Sequence, residues 1–142
     1  MSKFYDIADA IVAHLATVPA LAGVPFVVDR QKDIGSELRK VVAKQAGCLA
    51  IVTWAGAPND DLSADGPRFN CKYTVTLFSK PVIRSGETAA DDIIEAMAAA
   101  LHDHRFSATA HYSTRLVVTG IDPVPAEELL IYRINLTTPS QL

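Results

Sequence analysis

Three of the four histidines in this chain lie between positions 102 and 111, at His102, His104 and His111. Imidazole is a common metal ligand, so their clustering raises the question of a metal site. No carboxylate or thiol accompanies them at a spacing typical of such a site. They follow a helical pattern, and histidines at a helix C-terminus interact favourably with the helix dipole. We therefore predict no metal here, and a small metal-binding or ligand-binding domain that uses this region is the alternative from another functional class.

Nucleophilic and nucleotide-dependent chemistry also lack their usual patterns. Ser85 precedes Gly86 without the GxSxG sequence of a nucleophile elbow. Neither Cys48 nor Cys71 has a histidine placed in the sequence to activate it. The seven glycines are scattered, so the chain contains no GxGxxG motif. We predict no catalytic residue, no cofactor and no enzymatic activity.

Residues 55–68 form a polar stretch that contains Asp60, Asp61 and Asp65. These carboxylates lack the alternating oxygen ligands and the closing glutamate of a calcium loop. The abundance of Pro, Asn, Asp, Ser and Gly is typical of a loop. We predict a long, mobile hairpin tip that is either simply solvated or contacts a partner, as long loops in compact domains often do.

Charge is separated between two predicted helical segments. Residues 30–44 are rich in lysine and arginine, whereas residues 87–103 carry acidic residues and neither of these bases. Either both segments are solvated outer faces, or the basic segment of one subunit meets the acidic segment of the next in a contact that salt weakens. The candidate contact residues are Arg39, Lys40, Lys44, Asp91, Asp92 and Glu95.

Among the elements that position these residues, a strand over residues 69–79 is the clearest, because apolar and polar types alternate along it. The apolar set is Phe69, Cys71, Tyr73, Val75 and Leu77. The polar set is Asn70, Lys72, Thr74 and Thr76. The apolar set requires a helical cover, while the polar set faces water or a partner.

The other elements are arranged around this strand. Helical periodicity predicts helices over residues 4–18, from the Asp33 cap to Gly47, and from a Thr88 cap to about residue 101. Strands are predicted over residues 24–29, 48–54, 115–121 and 129–137, and Pro123 and Pro125 mark a turn between the last two. The order α-β-α-β-β-α-β-β predicts an α+β fold, with a mostly antiparallel sheet and helices packed on one face.

Length and composition fit one domain over residues 1–142, with 49% hydrophobic residues. No apolar run reaches the roughly 18 residues that cross a bilayer, and no secretory signal is visible. We expect a soluble protein made in the cytoplasm, where thiols stay reduced, and we interpret Cys48 and Cys71 as small core residues. The net charge of −3 argues against general affinity for nucleic acid.

The polar side of strand 69–79 and that of the last strand predict a polar, slightly basic sheet face. Its members are Lys72, Thr74, Thr76, Arg133, Asn135 and Thr137. Most such faces are simply solvated. In a ring of subunits, however, the face would line a channel, and Lys72 and Arg133 would lie near passing nucleic acid without reading its sequence.

Six segments of the chain, in this order, resemble the tail terminator family of long-tailed bacteriophages, which includes the minor tail protein U of phage lambda. They are DIADAIVAHL, PALAGVPFVVDR, CLAIVTW, YTVTLF, ADDIIEAMAAALHDH and YRINLTT. The resemblance covers nearly the whole length and consists of order and spacing, without a catalytic signature. Small phage proteins of the neck and of tail completion share much of the same pattern and are the alternative within this class.

The resemblance implies a structural phage or prophage protein located in the virion tail and made in the cytoplasm of the bacterial host. Its subunits would form a homo-oligomeric ring, a hexamer, on the end of the tail tube and would stop tube growth. The partners implied are the tail tube protein and the head-completion or connector protein, with DNA only in passage. The resemblance carries no enzymatic activity and no cofactor.

Overall fold

The structure, a computed structural model, describes residues 3–29, 48–56, 59–61, 68–79, 90–104, 115–125 and 130–141. In these ranges two α-helices pack on one face of a six-stranded, mostly antiparallel sheet, which confirms the predicted α+β class. Helix α1 spans Lys3–Leu15 and α2 spans Ala90–Leu101. The strands are β1 Phe26–Asp29, β2 Cys48–Gly56, β3 Asn59–Asp61, β4 Arg68–Ser79, β5 Val117–Val124 and β6 Leu130–Gln141.

Strand β4 lies in the middle of the sheet, whose order is β1-β2-β4-β6-β5. All neighbouring strands pair antiparallel except β1 and β2, which run parallel. A parallel pair requires a crossover connection of about a dozen residues or more, and residues 30–47 provide it. The helix predicted between Asp33 and Gly47 lies outside the described residues.

The alternation predicted for β4 is confirmed by the burial of its side chains. Tyr73, Val75 and Leu77 are fully buried against the helices, and Cys71 joins them in the same core. Lys72, on the opposite face, is exposed. The strand therefore separates a core side from an outer side.

Strand β2 is buried on both faces, as its nearly continuous apolar sequence predicts. Cys48, Ala50 and Val52 face the helices and belong to the main core. Leu49 and Ile51 point to the other face, where they form a small second cluster with neighbouring side chains. Both cysteines, Cys48 and Cys71, are thus core residues, as expected.

The helices bury the stripes that their periodicity predicts. The buried residues of α1 are Ile7, Ala8, Ile11 and Leu15, and those of α2 are Ala90, Ile93, Ile94, Met97 and Leu101. Helix α1 ends before the predicted position 18, and a short 3₁₀ helix, Pro19–Leu21, follows it. Thr88, the predicted cap of α2, lies outside the described residues. In the described ranges, neither helix is long and apolar enough to cross a membrane.

Two predicted boundaries near prolines are wrong. Pro123 was predicted in a turn but lies inside β5, paired with Tyr132, and β6 continues past residue 137 through Pro139. Strand β5 lies at an edge of the sheet. At Pro139, β6 has no partner strand on its β5 side, because the pairing of β5 with β6 stops at Thr137. A proline is tolerated where the strand has no second neighbour for its missing N–H.

The polar stretch after β2 contains the short strand β3, which pairs with the start of β4. Asn59 lies opposite Phe69, and Asp61 lies opposite Arg68. This pairing continues the antiparallel β2–β4 pair beyond Gly56, which confirms the hairpin but corrects the predicted length of its tip.

Candidate functional surfaces

The face of the sheet that points away from the helices is called the outer face here. Along β4 and β6, alternation places their polar residues on it, and the register aligns them in pairs. The pairs are Thr76 with Arg133, Thr74 with Asn135, and Lys72 with Thr137. Lys72 and Arg133 are exposed, while the three threonines and Asn135 are half-buried. The predicted polar face is therefore present as one continuous surface.

Asp122 of β5 completes this face and was missed, because the sequence placed it in a turn. It lies opposite Arg133, and its Oδ2 atom accepts a hydrogen bond of 2.8 Å from Asn135 Nδ2. Thr119 donates a 3.2 Å hydrogen bond to the carbonyl of Asn135. Side chains directly opposite on one face are about 5 Å apart at Cβ, so the carboxylate partly offsets the charge of Arg133. Asp122 therefore reduces the excess of positive charge on the outer face.

The outer face is polar at one end and apolar at the other. Leu49, Phe78, Ile131 and Val124 occupy one transverse row, linked by the strand register. In the next row, Ile51 lies opposite Thr76. From Thr76 to Lys72, which lies opposite Gly56 at the end of β2, the outer-face positions of β4 are polar.

The acidic residues of α2 lie on its outer side. Asp91, Asp92 and Glu95 are exposed, while Ile94 and Met97 point into the core. These three carboxylates occupy the surface that the charge-separation hypothesis requires. The basic candidates Arg39, Lys40 and Lys44 lie outside the described residues, so the complementary half of the predicted contact stays a prediction.

The acidic loop candidates are placed differently from the prediction. Asp60 and Asp61 belong to β3 and so lie in the sheet instead of a mobile tip. Asp65 lies outside the described residues. The backbone of the first two carboxylates therefore has a defined position next to the start of β4.

The histidines at the end of α2 meet a partner that the sequence did not reveal. The rings of His104 and His14 stack, with centroids 3.6 Å apart and planes 11° apart. The Nε2 atom of His14, in the last turn of α1, lies 2.9 Å from the carbonyl oxygen of Ala100. That carbonyl is among the last four of α2, which lack partners within the helix. His14 and His104 are 90 positions apart, so no local pattern could predict their contact.

This helix end is also tied to the start of β5. The N–H of Asp103 donates to Leu116, and the N–H of Leu116 donates to His104. The Nδ1 atom of His102 accepts a 3.2 Å hydrogen bond from the N–H of Val118. Asp103 adopts a left-handed conformation with φ of 64°, which lets the chain turn out of the helix.

Electrostatics at this helix end favour a neutral His104. Burial lowers the pKa of His104 below its ordinary value, and positive charge on His14 lowers it further. Arg115 and Asp103 form an ion pair at 3.3 Å, but their side chains are 53% and 59% exposed, so the pair contributes little to stability. In the described part of the chain, no three metal-binding side chains come close enough to hold an ion. His111, the third histidine of the predicted group, lies outside that part.

No family model matches the chain, and no curated protein matches it either.

Proposed function

We propose that this chain is a structural subunit of a phage or prophage tail, which assembles as a ring on the end of the tail tube and offers a surface for joining the head. The proposal starts from the resemblance of six ordered segments to tail terminators. It assigns the protein no chemical step. Its location would be the tail of the virion.

The observation that supports this proposal most is the outer face of the sheet. Two twelve-residue strands, β4 and β6, lie side by side and present a polar surface on which Lys72 and Arg133 are exposed. A ring whose subunits turn this face inward has a hydrophilic wall with positive charge toward passing DNA. Contacts to phosphates carry no sequence information, so such a wall would let DNA pass whatever its sequence.

The free side of β5 supplies a second argument, because a ring needs a contact between subunits. Among the described residues β5 pairs only with β6. Ile121 is 43% exposed although Ile134, opposite it, is fully buried. An edge strand can pair with a neighbouring chain through its backbone. The sheet has a different strand, β1, at its other edge, and two unlike surfaces are what a head-to-tail contact uses.

Light scattering on the purified chain at several salt concentrations tests the assembly part of this proposal. We expect an oligomer whose mass falls as salt rises, because screening weakens contacts between exposed charges. An oligomer whose mass does not change with salt would show that charge does not direct assembly. A protein that stays monomeric at all concentrations, even with tail tubes present, would contradict the proposal.

A neck or tail-completion protein is the alternative within the same class. Mixing the chain with tail tubes and with head connectors separates the two functions. A tail terminator binds the tube end in the absence of heads, whereas a neck protein requires the connector.

A further inference from the structure

The backbone of edge strand β1 has a defined set of groups that point away from the sheet. Among the described residues, β1 pairs only with β2. The N–H of Ala50 in β2 donates a 3.0 Å hydrogen bond to the carbonyl of Pro25, just before β1. In a parallel pair, a residue bonds to the two neighbours of the residue beside it, which for Ala50 is Phe26. The N–H and C=O groups of Phe26 and Val28 therefore point outward.

The same hydrogen bond determines the outward groups of β5 at the opposite edge. The N–H and C=O groups of successive residues in a strand point to alternate sides, so Ala50 points to β1 and Ile51 to β4. The register carries this alternation across the sheet. The resulting hydrogen-bonded pairs are Ile51 with Thr76, Val75 with Ile134, and Arg133 with Asp122. The N–H and C=O of Ile121, next to Asp122, therefore point away from the sheet.

Pro123 supports this assignment independently. A proline in an edge strand is tolerated where its nitrogen, which carries no hydrogen, faces away from the neighbouring strand. Pro123 lies two residues after Ile121, so the backbone groups of both residues point outward. The bulge between Val118 and Gly120 interrupts the strand before this point. The regular, outward-facing part of β5 thus begins at Gly120, and it is long enough to match the four residues of β1.

The side chains of the two edges are apolar on the same face of the sheet. Phe26 and Val28 pack against the main core, on the helix side. Ile121 lies opposite Ile134, which is buried in that core, so Ile121 also points to the helix side, although it is exposed. Residues that lie opposite each other in a pair have their side chains on one face. Pairing Ile121 with Val28 of another copy therefore keeps the helices of both copies on the same side.

Strand direction and register select one arrangement of the two edges. Strands β1 and β5 run in opposite directions, because one parallel pair and three antiparallel pairs separate them. Rotation about an axis along the strands preserves these directions, so β5 of one copy meets β1 of the next copy antiparallel. One transverse row of the sheet consists of Val28, Val52, Val75, Ile134 and Ile121. Joining the two ends of this row adds no step along the strands, and copies related without such a step can close into a ring.

We propose that β5 of one copy pairs antiparallel with β1 of the next copy, with Ile121 opposite Val28 and Pro123 opposite Phe26. Ile121 and Val28 would exchange both of their backbone hydrogen bonds, and the N–H of Phe26 would donate to the carbonyl of Pro123. The carbonyl of Phe26 would stay with water, because Pro123 has no N–H. This inference rests on the ring proposed above and names the strands that join its subunits.

Pairing of β5 with β5 of another copy around a two-fold axis fits the edge less well. With Ile121 at its centre, Pro123 of each copy would lie opposite Thr119 of the other, at the bulge between Val118 and Gly120. A bulge disrupts the regular ladder of hydrogen bonds. The pairing of β1 with β2 has no bulge over Phe26–Asp29. The geometry therefore favours β1 as the partner.

Disulfide trapping tests this pairing on the full chain, under conditions in which light scattering shows oligomers. Ile121→Cys and Val28→Cys place thiols on residues that would lie opposite each other, with Cα atoms about 5.5 Å apart, a separation that a disulfide spans. We expect a mixture of the two single variants to form a covalent dimer on oxidation. Each variant alone should run as a monomer on a denaturing gel, because the native Cys48 and Cys71 are buried.

Val27→Cys is the matched control for the face of β1. Val27 packs in the cluster on the outer face, so a mixture of Val27→Cys with Ile121→Cys should form no dimer. An oligomer without the expected cross-link would overturn this pairing but leave the ring in place. A dimer of Ile121→Cys alone would show two-fold pairing of β5 and would also overturn it. A chain that stays monomeric even with tail tubes present would contradict the ring itself.

Amide hydrogen exchange on the unsubstituted protein is a second measurement, which does not depend on the folding of any variant. The N–H groups of Phe26, Val28 and Ile121 should exchange about tenfold more slowly in the concentrated oligomer than in dilute protein, because exchange then requires the contact to open. The N–H of Ala50, bonded inside the sheet, is the reference and should change little. Equal rates for the first three groups in oligomer and dilute protein would overturn the pairing.

Discussion

At the scale of single residues, Asp122 determines the charge of the outer face as much as the basic residues do. Lys72 and Arg133 contribute two positive charges there, but Asp122 lies opposite Arg133 and bonds to Asn135. The face is therefore polar with a small excess of positive charge. This charge is compatible with the proposed ring, in which the face would form a wall past which DNA moves.

Thr138 offers a residue-scale test of the register of β6. Its side chain is fully buried, and its hydroxyl has no hydrogen-bond partner among the described residues. Because a buried hydroxyl without a partner costs about 1–3 kcal/mol, we expect Thr138→Val to raise the free energy of unfolding by about 1 kcal/mol. Urea unfolding measures the change. Thr137→Val, on the outer face, is the control and should change stability by less than about 0.5 kcal/mol; a destabilised Thr138→Val protein would contradict the register.

At the scale of elements, β5 has features that protect an exposed edge strand from uncontrolled pairing, and a segment that could contact another subunit. It is bulged between Val118 and Gly120, and Pro123 removes one N–H near its end. Both features discourage uncontrolled pairing along an edge. The segment around Ile121 lies between them and stays available for a specific neighbour.

We expect Ile121→Lys to leave the subunit folded and to reduce its assembly. The side chain is 43% exposed, so the charge can reach water, whereas a lysine on an edge strand opposes pairing with another chain. Sedimentation or light scattering measures the assembly. Ala13→Lys, on the exposed side of α1, is the control for a charge added away from this edge, and it should leave assembly unchanged. Unchanged oligomers of Ile121→Lys would exclude this part of β5 from the subunit contact.

The acidic side chains of α2 differ in their distance from the N-terminus of the helix. Asp91 and Asp92 lie in the first turn, where a negative charge stabilises a helix by about 0.3–1 kcal/mol each, whereas Glu95 lies beyond it. We expect Asp91→Asn and Asp92→Asn to lower the free energy of unfolding by these amounts, and Glu95→Gln to leave it nearly unchanged. Urea unfolding at low salt measures the differences. Equal stabilities of all three variants would show that the helix dipole is not involved.

The sequence predicted those parts of the fold that depend on local periodicity. The alternation of β4 and the stripe of α2 were predictable because a half-buried strand and a half-buried helix each repeat with a fixed period. The strand around Pro123 was not, because its tolerance for proline depends on the neighbour that it lacks. The stack of His14 on His104 arises from the packing of two distant helix ends, so no spacing in the chain encodes it. Asp122 was missed because its strand was predicted to end at residue 121.

At the scale of the whole molecule, the two layers carry different charges. The exposed side of the helices bears Asp91, Asp92 and Glu95, while the outer face of the sheet exposes Lys72 and Arg133. In the proposed ring, a subunit polarised in this way would have a defined inner and outer side. Turning the acidic helices outward and the sheet inward places the positive charges nearest to DNA and the negative charges away from it.

Electron microscopy of isolated tail tubes incubated with the purified chain tests whether the protein caps the tube. We expect a ring of density at one end of each tube, and no further growth of capped tubes when tube protein is added. Tubes that keep bare ends and continue to grow in the presence of excess protein would contradict it.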